Sequence, residues 1–156
     1  MDTNTYVVSV DRTINASPED LFAIVADCAR HPEIDGSGAV HKVKPGAPKS
    51  LEMGSTFGMS MRMGMPYSMN NKVIEFEPFR RIAWQTVAPG PFGRFVGGRI
   101  WRYEFEPVHG GTKVTESWDI SQDHQRSILK RIGKVASETE NNMRKTLDRL
   151  AASVES

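Results

Sequence analysis

Large apolar side chains occupy every second position of one stretch near the middle of the chain. The positions are Phe57, Met59, Met61, Met63, Met65, Tyr67 and Met69. Small or polar residues stand between them, so the period of two predicts a strand or a tight hairpin with one buried face. Five of the eight methionines of the chain lie in this row, and unbranched thioethers form a soft, adaptable surface. We expect the row to face the C-terminal helix and to line a pliable cavity, although a methionine-filled core has the same pattern.

Alternation of apolar and polar residues recurs in five further segments, which predict other strands. These segments are 6–14, 70–76, 81–87, 100–106 and 113–120. A stretch punctuated by glycine and proline leaves room for one more short strand over 39–43. The predicted inner faces of the last three segments carry Trp84, Trp101, Tyr103 and Trp118, and a Gly-Gly turn at 110–111 joins the last two. We therefore expect strands in hairpin succession.

Helical signals occur after the first strand and at the end of the chain. Ser17 precedes Pro18 and two acidic residues, which is typical of a helix N-terminus, and a second short helix is predicted over 32–34. From Gln122 onward, apolar residues recur at helical spacing over about seven turns, which predicts one long amphipathic helix. Its apolar face consists of Ile128, Leu129, Ile132, Val135, Ala136, Met143, Leu147 and Leu150.

The loop from Ala88 to Gly98 differs from the other predicted connections. It combines several glycines and prolines with three apolar residues, Phe92, Phe95 and Val96. Glycine permits motion, and apolar side chains in a loop are suited to covering an apolar opening. We therefore expect this loop to act as a lid near the entrance of a cavity.

Three motifs carry a family resemblance. They are Ala16-Ser17-Pro18-Glu19-Asp20-Leu21-Phe22, the turn Glu75-Phe76-Glu77-Pro78-Phe79-Arg80-Arg81-Ile82-Ala83-Trp84, and Trp101-x-Tyr103-x-Phe105-x-Pro107 leading to Gly111-Thr112-Lys113-Val114-Thr115. In their order and spacing, over nearly the whole chain, they resemble the START-related, Bet v 1-like superfamily. Within it they are similar to the group of polyketide cyclase/dehydrase or SRPBCC proteins.

The resemblance implies an α+β helix-grip fold. In that fold a seven-stranded antiparallel sheet wraps around a long C-terminal helix, two short helices follow the first strand, and a deep apolar cavity lies between sheet and helix. Residues 1–156 would then form a single ligand-binding domain. Proteins with this fold range from lipid and hormone carriers to aromatase/cyclases, so the fold alone does not determine the function.

Charge and cysteine content exclude several classes of protein. The 20 basic and 19 acidic residues are mixed along the chain, so no basic stripe suits a nucleic acid. Cys28 is the only cysteine, which rules out an internal disulfide and a multi-thiolate metal site. No stretch approaches the ~20 apolar residues of a membrane span, so we expect a cytoplasmic protein without integral membrane association. His31, Asp35 and His41 lack companions for a complete ligand set, and we predict no metal or cofactor.

Glu116 is the strongest candidate for chemistry. It shares the apolar face of the last strand with Val114 and Trp118, and burial there would raise its pKa and suit it to act as a general acid or base. Tyr67 and Tyr103 lie on the presumed inner faces and could offer hydroxyls to a ligand carbonyl. The alternative is that each of these groups is satisfied by a protein partner and serves folding only.

The leading functional prediction is non-covalent binding of a hydrophobic small molecule, a lipid or a polyketide-like compound, by a monomer or homodimer. The predicted lining residues are Phe57, Met59, Met61, Met63, Tyr67, Met69, Trp84, Phe92, Phe95, Trp101, Tyr103, Glu116, Trp118, Ile128, Ile132, Val135 and Met143. One alternative is an aromatase/cyclase or dehydratase that uses Glu116 with Tyr67 or Tyr103. A second is a protein-interaction module whose outer surface is the functional part.

Overall fold

A single antiparallel sheet organises the computed structural model, which describes residues 6–155. Its strands are β1 (Val7–Ile14), β2 (Val40–Val43), β3 (Thr56–Met63), β4 (Met65–Glu77), β5 (Arg81–Val87), β6 (Gly97–Val108) and β7 (Gly111–Asp119). The helices are α1 (Pro18–Val25), α2 (His31–Ile34), α3 (Arg126–Arg131) and α4 (Gly133–Glu155), with short 3-10 turns over Cys28–Arg30 and Gly90–Arg94. The α+β helix-grip fold predicted from the sequence is confirmed, with two short helices after β1.

The sheet follows the order β1-β7-β6-β5-β4-β3-β2. Strands β2 to β7 are joined as successive hairpins, and β1 pairs with the last strand, β7. Pairing places Glu116 of β7 between Val10 and Tyr103, and it places Trp101 between Trp118 and Trp84. Because paired residues share a face, these side chains all lie on the inner face of the sheet.

The first helix begins where the sequence predicts. Ser17 is the N-cap, and its Oγ accepts a hydrogen bond of 3.1 Å from the N–H of Asp20. Pro18 stands in the first turn, where a backbone N–H has no acceptor within the helix, so the lack of an N–H in proline loses no helical hydrogen bond. The buried face of α1, which closes one end of the core, consists of Leu21, Phe22, Ile24 and Val25.

The C-terminal helical region differs from the single long helix predicted. The helix breaks at Ile132, whose ψ of 86° lies outside the helical range, so α3 and α4 are separate. The prediction that Ile128 and Ile132 belong to the core-facing stripe is wrong, because both side chains are exposed. The buried residues of α4 all lie in its second half, and they are Met143, Thr146, Leu147, Leu150 and Ala151.

The methionine row forms a hairpin that turns at Gly64. Met59 pairs with Met69, Met61 with Tyr67, and Met63 with Met65, so the row keeps one face through the turn. Neighbouring strands flank only part of this hairpin. β5 begins to pair with β4 at Asn70, and β2 pairs with β3 only as far as Met61. The hairpin therefore projects beyond its neighbours.

The prediction that the whole row lies beneath the C-terminal helix is wrong. Met59 is buried, whereas Met63 is 72% exposed on the projecting part of the hairpin. Among the strands, the backbone of α4 comes closest to β1 and β7. The outer end of the methionine row extends past the covered core and faces solvent.

Gly36 permits the close approach of the α2 region to α4. Its N–H donates a hydrogen bond of 2.9 Å to Thr146 Oγ1. A Cβ at this position would overlap the carbonyl oxygen of Asn142 and lie 2.6 Å from the Cβ of Lys145. The chain after α2 therefore packs directly on the helix backbone.

We expect Gly36→Ala to destabilise the protein by about 1–3 kcal/mol, because the added methyl group must push α4 away from the α2 region. Gly133→Ala is the matched control, since a Cβ there meets nothing within 4 Å and alanine favours a helix by up to about 1 kcal/mol. Urea unfolding followed by circular dichroism measures both changes. Equal stability of the two variants would contradict the close packing at Gly36.

Candidate functional site

Four side chains form a row of stacked rings and polar groups inside the sheet. The ring of His31 stacks on Trp84 with centroids 4.8 Å apart, and Trp84 stacks on Tyr103 at 5.7 Å. Tyr103 in turn pairs across the β6–β7 ladder with Glu116. Three adjacent strands and the start of α2 thus bring an imidazole, an indole, a phenol and a carboxyl group together in the interior.

Glu116 is a carboxyl group without full hydrogen bonding. Its side chain is buried, with the residue 2% exposed, and Oε1 has no hydrogen-bond partner among the described residues. Burial raises the pKa of Glu116 to about 8, and hydrogen bonding to Tyr103 works in the opposite direction. The group is therefore predominantly neutral at pH 7, where a protonated carboxyl can donate a hydrogen bond as well as accept one.

Tyr103 is also fully buried. Burial, followed by the nearby Glu116, raises its pKa well above the usual 10. The phenol therefore keeps its proton throughout the range in which Glu116 titrates. Together the two residues supply the interior with neutral hydroxyl groups.

The sequence pattern indicated His31 only as part of an incomplete set of metal ligands. In the structure it is buried, and its Nε2 lies 2.8 Å from the carbonyl oxygen of Val25. Burial lowers its pKa, so the ring is neutral at pH 7 and Nε2–H donates to that carbonyl. Nδ1 is then left as an acceptor. The sequence signal was weak because a histidine beside Pro32 also fits an exposed turn.

A second polar pair lies on the same inner face, and sequence reasoning did not identify it. Thr86 Oγ1 donates a 2.7 Å hydrogen bond to Oδ1 of Asn71, and Nδ2 of Asn71 donates at 3.3 Å to the carbonyl of Phe57. Both side chains are buried. The available signal in the sequence was that both residues share a strand face with apolar neighbours on β4 and β5. In the structure these hydrogen bonds pair the two side chains with each other and with the backbone, so neither points to a ligand.

Arg99 and Asp123 form an ion pair where β6 begins. Nε of Arg99 lies 3.1 Å from Oδ2 of Asp123, whose side chain is completely buried. The other carboxylate oxygen accepts a 2.8 Å hydrogen bond from the N–H of Gln125. The pair fixes the segment after β7 to the start of β6, at the end of the sheet from which the methionine hairpin projects.

The interior is closed at one end and more open at the other. Met143 and Leu147 of α4 fill the core beneath β1 and β7, whereas Val135, about two helical turns before Met143, is only half-buried. Met61 and Trp101 are also half-buried and pack against the core. We call this side the open end. It comprises the β3–β4 turn, the β5–β6 loop and the segment from β7 to α3.

The predicted lining residues divide into three groups. Phe57, Met59, Trp84, Tyr103, Glu116, Trp118 and Met143 are buried. Met61, Met69, Trp101 and Val135 are half-buried. Met63, Tyr67, Phe92, Phe95, Ile128 and Ile132 are exposed and belong to the open end. Exposure contradicts an inward position for Met63, Tyr67, Ile128 and Ile132, because the hairpin and α3 that carry them extend past the core. Phe92 and Phe95 lie in the predicted lid loop, and their role as a lid stays a prediction.

Of the two tyrosines predicted to accompany Glu116, Tyr103 pairs with it across the ladder and Tyr67 does not. Tyr67 lies on the projecting hairpin, where burial and the charges of Arg99 and Asp35 act on its pKa, which is raised overall. The structure therefore brings together one phenol and one carboxyl group. The role of either in ligand binding stays a prediction.

The surface of the molecule carries two depressions that lie away from the space between sheet and helix. One, of about 530 Å³, lies between the 45–47 loop and the outer face of β3 to β5. The other, of about 540 Å³, lies beside the turns that include Glu77, Arg80 and Glu106.

Within residues 6–155, no cluster of histidine, cysteine or acidic side chains is arranged to hold a metal ion. In the same range, no helix is both long and apolar enough to cross a membrane.

Comparison with known proteins gives a family model and two curated relatives. A model described as polyketide cyclase/dehydrase and lipid transport matches residues 5–155. Uncharacterized protein Rv0088 of Mycobacterium tuberculosis H37Rv is 36% identical over 115 residues, which are 72% of this chain and 46% of that protein. Uncharacterized protein MT0096 of the strain CDC 1551 matches to the same extent. The chain spans about half the length of the curated relatives that it matches.

Solved structures share the same fold at low sequence identity. The crystal structure of protein CV1439 from Chromobacterium violaceum has a TM-score of 0.69 and 16% identity, with 96% of this chain and 98% of that chain covered. The solution structure of the Aha1 dimer from Colwellia psychrerythraea has a TM-score of 0.65 and 17% identity, with 96% of each chain covered. At such identities the likeness is one of fold alone.

We expect Glu116→Gln to raise stability at pH 7 by about 1 kcal/mol or more, because the variant removes a buried group that deprotonation would charge. The unfolded carboxyl loses its proton near pH 4.5, whereas the folded one keeps it to about pH 8. Wild-type stability therefore falls relative to the variant as pH rises between these values, by at most about 1.4 kcal/mol per pH unit.

Urea titrations from pH 4 to 9 measure this difference. Glu75→Gln is the matched control with the opposite sign, since hydrogen bonding to Arg102 lowers the pKa of Glu75 and its charge stabilises the fold. A stability difference for Glu116→Gln that does not change with pH would contradict a protonated buried carboxyl.

Proposed function

Because the chain belongs to the polyketide cyclase/dehydrase and lipid transport family, we propose that it binds a hydrophobic small molecule whose polar group is a neutral carbonyl or hydroxyl. The ligand occupies the interior row on the inner face of β5 to β7 and enters through the open end. The apolar part of the ligand contacts Met61, Trp101 and Val135, which are already half-buried. Adaptable thioether and indole surfaces suit a ligand of variable shape.

The observation that carries this proposal is the unpartnered Oε1 of Glu116. A buried polar atom without a partner costs free energy, and a ligand that supplies the missing hydrogen bond recovers it. Because the pKa of Glu116 is about 8, the group is a neutral hydrogen-bond donor and acceptor at pH 7. It therefore favours a ketone, ester, aldehyde or alcohol over a carboxylate ligand, whose negative charge would need to be desolvated without a cationic partner.

We expect the methyl ester of cis-parinaric acid to bind at pH 7 more tightly than the free acid, by tenfold or more. Energy transfer from the interior tryptophans Trp84, Trp101 and Trp118 to the polyene reports binding of both probes. Glu116→Met removes the hydrogen-bond donor at similar length, and we expect it to weaken binding of the ester about tenfold, which corresponds to the loss of about one hydrogen bond.

Tyr6→Phe is the matched control for Tyr103→Phe, since each removes one phenolic hydroxyl. Tyr103→Phe should weaken ester binding, and Tyr6→Phe should leave it unchanged because Tyr6 lies beside Lys130 rather than beside Glu116. Wild-type protein that binds neither probe, or that prefers the free acid at pH 7, would overturn the proposal.

Proton transfer to or from the bound carbonyl compound is a second candidate function. The observation that favours it is a carboxyl group with a pKa of about 8 beside a phenol, since a general acid or base is most effective near the working pH. Deuterium exchange at the central carbon of 2,4-decanedione, followed by NMR, tests it. The exchange rate should rise as Glu116 deprotonates around pH 8, and it should fall to the buffer rate in Glu116→Gln.

A further inference from the structure

Exposed apolar side chains are concentrated at the open end of the molecule. Phe92 and Phe95 of the β5–β6 loop are 67% and 69% exposed, and Met63 and Met65 of the projecting hairpin are exposed to a similar degree. Together with neighbours in the loop and in α3, they form what we call the tip surface. Its members are Met63, Met65, Phe92, Phe95, Val96, Ile128 and Ile132.

Strand direction places these segments at one end of the sheet. The β3–β4 turn, the β5–β6 loop and the chain that leaves β7 all follow strands that run the same way in an antiparallel meander. Hydrogen bonds join two of the segments directly. Gln125 Nε2 donates to the carbonyl of Phe95 at 2.7 Å, Gln125 Oε1 accepts from Gly97 N–H at 2.9 Å, and His124 N–H donates to the carbonyl of Gly97 at 2.9 Å.

The same end carries a strong excess of positive charge. Segments 60–70, 86–100 and 120–134 contain seven arginine and lysine residues and one acidic residue, Asp123, which is buried against Arg99. Three other acids border this end. Asp119, at the end of β7, lies 3.6 Å from Arg102, Asp35 accepts hydrogen bonds from Ser37 and Val40, and Glu138 pairs with Lys134 at 3.5 Å. The exposed basic residues in the segments that carry the tip surface include Arg62, Arg94, Arg126 and Arg131.

The opposite end of the sheet has no comparable concentration of either feature. Its connections, over 15–20, 44–55, 77–81 and 104–113, contain six acidic and five basic residues, and several of them pair with one another or with Glu75, as Arg81 does with Glu104 at 3.1 Å. Met53 is exposed there without exposed large apolar neighbours in the same connection. The exposed Phe79 there packs edge-on against Phe22 at 5.7 Å. The charge of the molecule, close to zero in sum, is therefore unevenly distributed.

We propose that the tip surface docks on an anionic lipid bilayer. Exposed aromatic, methionine and isoleucine side chains insert among the acyl chains at the interface, while the surrounding arginines and lysines contact negatively charged headgroups. The excess of positive charge favours this occupant over an uncharged apolar protein partner. Since the docked end is also the open end, the interior row would face the membrane from which an apolar molecule could enter.

Sedimentation with vesicles tests the docking surface. Wild-type protein should bind vesicles of 70% phosphatidylcholine and 30% phosphatidylglycerol at low salt, bind pure phosphatidylcholine at least tenfold more weakly, and dissociate from the anionic vesicles as salt screens the charges. Phe92→Ser combined with Phe95→Ser should reduce binding at least tenfold by removing the inserted rings.

Two matched pairs separate the tip surface from the rest of the molecule. Arg94→Gln should weaken binding to anionic vesicles about fivefold, since each basic residue near the surface contributes about that factor. Arg80→Gln removes another exposed arginine, from the opposite end, and should have no effect. Met63→Ser should weaken binding, and Met53→Ser should not, although Met53 is also 62% exposed.

Binding of the parinaric ester without vesicles distinguishes this proposal from the function proposed above. Arg94→Gln and Arg131→Gln should leave ester binding unchanged while they reduce vesicle binding. Failure of wild-type protein to bind anionic vesicles, binding that ignores lipid charge, or equal effects at the two ends of the sheet would overturn the docking proposal. Each of these vesicle results is independent of whether the protein binds the ester in solution, so either proposal can be overturned without the other.

Discussion

The structure depends on where α4 packs against the sheet. The second half of the helix buries Met143, Leu147 and Leu150 beneath β1 and β7, and this contact joins the two ends of the chain through strands adjacent in the sheet. Gly36 extends the contact by letting the α2 region rest directly on the helix backbone. Burial of this apolar area is the main source of free energy that holds helix and sheet together.

Because the packing is confined to one half of α4, the molecule is stable at one end and sparsely covered at the other. The first half of the helix and the whole of α3 add few buried side chains, so they can move at small cost in free energy. Glu116, Tyr103 and His31 lie between the well-packed end of the molecule and the open end. All three are buried, so the surrounding core holds them in position.

Much of the fold could be predicted from the sequence, because alternation and capping are local signals. The Ser17 cap, the turn at Gly110 and Gly111 and the inward parity of Glu116 each depend on residues within a few positions of one another. The break at Ile132 could not be predicted this way, because the helical spacing of apolar residues continues through it. Spacing identifies a stripe, but it does not reveal whether another element is there to cover that stripe.

The same limit explains the candidate site. Parity correctly predicted which side chains of the methionine row share a face, yet the exposure of Met63 depends on where β2 and β5 end. His31 was undervalued for the converse reason: its stacking on Trp84 is a contact between residues 53 positions apart. Contacts of that kind follow from the curvature of the sheet, which no local pattern records.

The hairpin that projects from the sheet has an edge on β4 without a neighbouring strand, and Pro66 stands on it. Between the turn and Asn70, the backbone groups of β4 that point away from the hairpin could pair with a strand of another molecule, whereas on β3 the N–H of Arg62 already donates to the carbonyl of Ala39 at 2.8 Å. Proline has no N–H to offer such a strand, and Arg62 directly opposite adds a charge. An apolar hairpin can thus stay exposed because its backbone is poorly suited to the edge-to-edge association that leads to aggregation.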